Sequence, residues 1–346
     1  LYGKLSLFVG SGEPAAKRGV DVRVVVDSYV RDSYRYLRLG LVVATLALGV
    51  SLFVEIVNIG CLHGSVSAFY YTPVHAIFIG VLFVIGVTLV ALLGRDPVED
   101  MFFNFAGFLA PVVALVPTKR PDDLCGPDDR HLTLPNDALV ANNVLSLFIA
   151  SAVALFVAFI LARRSEGKPG ISTAVEAIKD APRSTKVGLT LSAVVLIAGV
   201  VWYWAGKESF QRRAHGTAAV LMFVAIWFVV FINANYGGVL GGIRTGIYQL
   251  LGAMDDLPSH ADDSKHVQFY RVWYRVLGLV MFAAGIVGGI AVFLGVRHAV
   301  FWLEVAQIVP FAVFWALQTG ERWDPPPPTE QENDTDSVPG GDPVAQ

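Results

Sequence analysis

The chain has 346 residues, 54% of them apolar and 16% charged, with a formal net charge of −3 and a mean hydropathy of +0.57. Soluble domains carry about 25% charged residues, so charge this depleted points to a membrane protein. The slightly acidic balance gives no footing to a nucleic-acid partner.

Residues 1–35 form a charged segment before the first apolar stretch, expected on the cytoplasmic side. Val22, Val24 and Val26 alternate there, as on a short surface helix or strand, and Arg23, Arg31, Arg35 and Arg38 would favour anionic lipid headgroups. The segment is too charged for a cleavable signal, so the first span is expected to serve as an uncleaved one. Eight apolar stretches follow, near 39–60, 73–93, 101–117, 139–162, 186–206, 214–234, 270–295 and 299–318. A crossing helix needs about 20 mostly apolar residues. The third stretch is short and contains Pro111, and the eighth contains Pro310. The expectation is an all-α integral membrane bundle of eight transmembrane helices, with the membrane domain over 36–320.

The first span carries Glu55 and Asn58 and ends at Cys61. Next comes a loop free of Lys and Arg, whose Ser65, Ser67, Tyr70, Tyr71 and Thr72 precede Pro73 and His75. Pro73 suits the first position of the second helix. Hydroxyls and aromatics here read either as an interfacial belt or as a pocket for a lipid headgroup or sugar, with Ser67, Tyr70, Tyr71 and Asn58 as its binding residues. The Asp- and Pro-rich 118–138 loop carries Cys125. Asn142 and Asn143 open the fourth span, Trp202, Tyr203 and Trp204 end the fifth, and His215 opens the sixth. Val239 to Met254 reads as an interfacial helix. The acidic run Asp255–Asp263 after it, with His260 and His266 nearby, lacks zinc-type spacing and reads as solvated. Tyr270, Trp273 and Tyr274 are expected as interface anchors of the seventh span. Gly285 and Gly289 have the spacing for a close helix contact. Glu304 lies in the eighth span. The segment 321–346, with four consecutive prolines, is expected to be a disordered cytoplasmic tail that offers a site for a protein partner.

Nineteen of the 26 Lys and Arg fall in the alternate loops that share a side with both ends of the chain. Cytoplasmic loops carry this excess, so both termini are expected on the cytoplasmic side of a bacterial cytoplasmic (inner) membrane. Cys61 and Cys125 then share the outer side, where disulfides persist, and a bridge between them is expected.

Ionisable groups inside spans are expensive and mark function by default. Glu55 lies six residues before Cys61, and Glu304 lies six after His298, so both sit about 9 Å inside the outer boundary at 1.5 Å per residue. With His75 and His215 they share one outer layer. Three readings follow. His75, His215 and Glu304 suit zinc, with Glu304 or Glu55 as catalytic base of a hydrolase. The same groups suit a proton relay or a cation site in a transporter. Plain helix–helix hydrogen bonding accounts for each residue taken singly.

The run Ser65-Val-Ser-Ala-Phe-Tyr-Tyr-Thr-Pro73 resembles the S-I-S-A-Y-Y-x-T-P segment of a broad family of uncharacterised polytopic bacterial membrane proteins. Asn104-Phe-Ala-Gly with Ala114-Leu-Val-Pro-Thr resembles that family's third span, and His215 with Ala218 and Ala219 a later one. Tyr274-Arg-Val-Leu-Gly and Phe301-Trp-Leu-Glu304 resemble its last two. The likeness covers residues 39–118 and 213–320. The family usually has six spans, so the fourth and fifth read as an insertion, and members often carry Arg-Asp where this chain has His75 and Ala76. A looser likeness is to the alkaline ceramidase-like hydrolases, which use Ser, Asp and His around zinc. Their paired-His spacing is missing here. The overall expectation is a multi-pass protein with an outward-facing polar pocket for a lipid, ion or metal, lipids being its immediate partners. The alternatives are a metal-dependent hydrolase of amphiphiles and a proton- or cation-coupled transporter.

Overall fold

The computed structural model describes residues 22–118, 136–165, 183–255, 257 and 265–323. Among these the chain is all-helical: α1 Val22–Ile59, α2 His75–Ala91, α3 Pro97–Leu115, α4 Asn136–Ser165, α5 Arg183–Ala205, α6 Lys207–Ala234, α7 Gly238–Leu251, α8 Lys265–Phe293 and α9 Ala299–Glu321. A 3₁₀ turn, Ser67–Tyr71, lies between α1 and α2. By length and composition, α3, α5, α6, α9 and the major parts of α1 and α8 are six helices fit to cross a membrane. α2 and the apolar part of α4, Val140–Ala154, fall where the second and fourth spans were expected but are shorter. Pro111 and Pro310 lie within α3 and α9 without ending either helix.

Local chemistry sets several boundaries. Asp96 caps α3, its Oδ1 accepting from Val98 N (2.9 Å) and Glu99 N (3.0 Å), and Pro97 takes the first helical position. α1 ends at Gly60, whose φ of 67° lies in the left-handed region that suits glycine. Asn235 closes α6 in the same region at φ 46°.

Burial is inverted relative to a soluble bundle. Val43, Leu46, Val50, Phe53 and Val57 of α1 are exposed, spaced three or four residues apart so that they form one apolar stripe. An apolar stripe facing outward is what lipid selects. α3 is central, packing on α2, α5 and α6; α6 also packs on α8, α8 on α9, and α1 on α2 and α9. At the α2–α3 contact, a Cβ on Gly107 would sit 2.7 Å from Gly86 O, and one on Gly86 would sit 2.9 Å from Gly107 O. Small residues thus let the two backbones approach. The expected close contact at Gly285 and Gly289 falls instead at Gly288, where a Cβ would meet Leu303 at 2.7 Å; Gly289 faces open space.

Two further expectations change. The 22–35 region is the start of α1, continuous with the first span. Arg38 turns inward rather than toward headgroups: it is 1% exposed, donates from Nη1 to Gln318 Oε1 at 3.0 Å, and hydrogen-bonds the Tyr34 hydroxyl. A helix is present where one was expected after Val239, as α7. The acidic run with His260 and His266, the tail from Asp324, and Cys125 lie outside the described residues, almost all of that acidic run included.

Candidate functional site

The α1–α2 loop is folded into the end of the bundle rather than over it. Val66, Ser67, Ala68, Phe69, Tyr70, Tyr71, Thr72 and Val74 are all buried. Phe301 N donates to Gly64 O at 3.0 Å, tying the loop to the start of α9. Ala68 N donates to Ser65 Oγ at 3.0 Å, and Thr72 Oγ1 donates to Phe69 O at 2.8 Å, so the hydroxyls of the loop shape its own turn.

Glu304 meets the start of that turn. Its Oε2 accepts from Val66 N at 2.5 Å and from Ser67 N at 3.3 Å, and its Oε1 lies 2.8 Å from Ser67 Oγ. The serine hydroxyl is also 2.8 Å from His215 Nε2 on α6, and His215 Nδ1 is 2.7 Å from Val116 O at the end of α3. Three helices and the loop therefore converge on one unbranched chain: Glu304, Ser67, His215, Val116 carbonyl. Ser67 and His215 are buried, and Glu304 is half-buried. Ser67 and Glu304 also face a cavity of about 50 Å³, otherwise lined by Thr45 and by apolar side chains such as Leu48, Phe78, Met222 and Phe311.

The donors and acceptors fix how protons sit on this chain. A backbone carbonyl only accepts, so His215 Nδ1 carries a proton and donates to Val116 O. Ser67 has a single hydroxyl proton for two neighbours. In one arrangement it donates to a neutral His215 Nε2, and Glu304 Oε1 carries a proton and donates to Ser67 Oγ. In the other, His215 Nε2–H donates to Ser67 Oγ, and the serine donates to a Glu304 carboxylate. Moving two protons along two 2.8 Å contacts interconverts them.

The remaining expected site residues are placed elsewhere. His75 Nδ1 is 2.7 Å from Tyr70 O, and its ring packs on the Tyr70 ring at 4.3 Å. Glu55 is buried on α1 but is outside this hydrogen-bonded chain. No group of three or more His, Cys, Asp or Glu side chains placed to hold a metal occurs among the described residues. His75, His215 and Glu304 are thus not assembled as a ligand set: shared depth put them in one layer, but His75 points into its own loop. Asn58 is exposed on α1. Tyr70 and Tyr71 are plugs rather than the walls of an open mouth: Tyr71 OH donates to Thr118 O at 2.7 Å, and burial raises the pKa of the Tyr70 phenol. Asn143 donates from Nδ2 to Leu115 O at 3.1 Å, bracing the end of α3.

At the opposite end of the bundle the structure shows a second polar centre that the sequence reading missed. Glu99, in the first turn of α3, is fully buried. It accepts from Asn233 Nδ2 (2.8 Å), Gln318 Nε2 (3.0 Å), Arg322 Nη2 (3.0 Å to Oε2) and the Arg95 backbone N–H. Burial works against the Arg322 charge, but Glu99 outweighs it and the guanidinium's pKa is raised. The signal was available: Asp96-Pro97-x-Glu99 is a helix start with its acidic residue at the third helical position. A span that begins at 101 leaves Glu99 outside it.

Comparison with family models, with curated proteins and with solved structures returned no match.

Proposed function

We propose that this protein is a proton-coupled multi-pass membrane protein in which Glu304, Ser67 and His215 exchange protons beside a small intramembrane cavity. The supporting observation is the Ser67 hydroxyl, 2.8 Å from both Glu304 Oε1 and His215 Nε2. A cation or hydrogen-bond donor entering the cavity would favour the carboxylate form of Glu304 and drive a proton toward His215. Ligand occupancy and protonation are then linked, which is the requirement for coupled transport. In this reading the chain crosses eight times in a bacterial cytoplasmic membrane with both termini inside, as the Lys and Arg distribution supports. α2 and α4 complete the crossings, the relay lies in the outer half of the bilayer, and Cys61 is bridged to Cys125 outside.

A hydrolase using Ser67 as nucleophile is the second reading, favoured by its contact with His215 Nε2. It ranks lower for two reasons. The amides of Val66 and Ser67, which an oxyanion would need, donate to Glu304. His215 Nδ1 is oriented by a carbonyl and not by a carboxylate.

Infrared difference spectroscopy on the reconstituted protein, stepped in pH, tests the relay. A carboxyl band assigned through Glu304→Gln should change its pH response in Ser67→Ala. An unchanged response in Ser67→Ala would rule out proton exchange through the serine. Covalent labelling of Ser67 by a fluorophosphonate would instead favour the hydrolase.

A further inference from the structure

Where α3 begins and α6 ends, a small polar pocket is lined by Arg95, Asp96, Asn233, Asn235, Arg244 and Arg271. Among the described residues three cations thus line the pocket with one acid, and that acid is already committed. Asp96 Oδ1 accepts the α3 cap hydrogen bonds, and its Oδ2 accepts from Tyr248 OH at 2.7 Å. Burial raises the Asp96 pKa, which weakens its charge further. Arg244 is 4% exposed and hydrogen-bonds Asn235 Oδ1. The neighbouring Arg275 is employed on backbone, donating from Nε to Ala234 O at 3.0 Å and from Nη2 to Asn235 O at 2.9 Å. Arg271 differs from these. It is 9% exposed, lines the pocket, and makes no hydrogen bond or ion pair with any described residue. None of its guanidinium nitrogens is sealed from solvent, so they stay open to the pocket, and with Arg95 and Arg244 they give it a cationic lining that suits an anion.

The size and setting narrow the anion. The cavity is about 10 Å³, room for about one oxygen-sized group. Arg95, exposed at its rim, is free to close over the rest of a larger anion. Planar guanidinium forks match phosphate oxygens in bidentate fashion. α7, which supplies Arg244, has 14 residues, about 21 Å at 1.5 Å per residue, too short to cross. It leaves Val239, Leu240, Ile243 and Leu250 exposed. A short helix with an apolar outer face and a cationic inner face lies in the headgroup layer. We propose that Arg95, Arg244 and Arg271 form a binding site for a phosphate group, as carried by an anionic phospholipid headgroup or by free phosphate.

The test uses the full chain in mild detergent, stripped of lipid. Three probes are titrated separately, with thermal unfolding and native mass spectrometry as readouts: short-chain phosphatidylglycerol, short-chain phosphatidylcholine and inorganic phosphate. Saturable binding of phosphatidylglycerol, with little from the other two, identifies a lipid headgroup. Equal binding of inorganic phosphate identifies the free anion. Either should weaken about tenfold in Arg271→Gln, the loss of one charge-assisted contact. Without any probe, Arg271→Gln should be no less heat-stable than wild type, because Arg271 makes no hydrogen bond or ion pair with a described residue. Arg95→Gln alters an exposed side chain and should weaken binding without loss of fold, so it decides the matter if the first variant does not fold. Absence of saturable binding by all three probes, or undiminished binding in Arg95→Gln and Arg271→Gln, would overturn the assignment.

Discussion

Replacing Glu99 by alanine should be the most damaging single change in this bundle. The carboxylate is fully buried and gathers four groups from three parts of the chain: Arg322 and Gln318 of the α9 end, Asn233 of α6 and the Arg95 amide before α3. Removing one partner of a buried ion pair costs about 3–5 kcal/mol, because the other charge is left uncompensated. The stranded amides of Asn233 and Gln318 add to this, though hydrogen bonds within membrane bundles average only about 0.6 kcal/mol each. Arg322 keeps 18% side-chain exposure, so water softens its loss and the lower part of the range, about 3–4 kcal/mol, is the expectation. Glu99→Gln should cost less than Glu99→Ala, since the amide oxygen still accepts. Equilibrium unfolding in mixed micelles measures both. In a double-mutant cycle, Glu99→Ala with Arg322→Ala should be less destabilised than the sum of the singles. A loss below about 1 kcal/mol for Glu99→Ala, or strict additivity in the cycle, would refute the view that this pair clamps α9 to α3 and α6.

Gly107→Val should destabilise by about 1–3 kcal/mol through overpacking against Gly86 O, whereas Gly289→Ala, facing open space, should be neutral or stabilising; half-lives of the folded state at raised temperature in detergent compare them. Asp96→Ala removes the α3 cap, worth about 1 kcal/mol, and leaves Tyr248 OH without its acceptor, while Asp96→Asn retains an acceptor for the cap, so urea or micellar unfolding should rank Ala well below Asn. Burial raises the folded-state pKa of Asp96 above its unfolded value, so the folded state binds more protons between the two values and stability falls as pH rises through that window. Unfolding measured across acidic pH should therefore show wild type gaining on Asp96→Asn as pH falls through the folded pKa. Mass mapping without reductant should return a linked peptide pair containing Cys61 and Cys125; free thiols at both would refute the bridge and the shared outer side it assumes.

The sequence alone determined that this chain is a helical membrane protein, because runs of apolar side chains without charge have no other stable solvent. All eight apolar stretches became helices or parts of helices, and Val239 onward became the short surface helix that its pattern implied. His215 and Glu304 were also legible, since an ionisable group inside a span stands out against its neighbours. Their connection was not. Depth along a helix follows from counting residues, but the direction of a side chain depends on how each helix is rotated against the others. That rotation brought Ser67 between His215 and Glu304 and turned Arg38 inward. It also left Asn58 facing outward and His75 bonded to its own loop. Glu99 and Arg271 show the same division. Only the packing of α3, α6 and α9 buried one carboxylate among four donors, and only the packing around α3 and α6 turned Arg271 into a small polar pocket with Arg95 and Arg244. Burial and azimuth are properties of the whole assembly, so the tertiary structure alone assigns them.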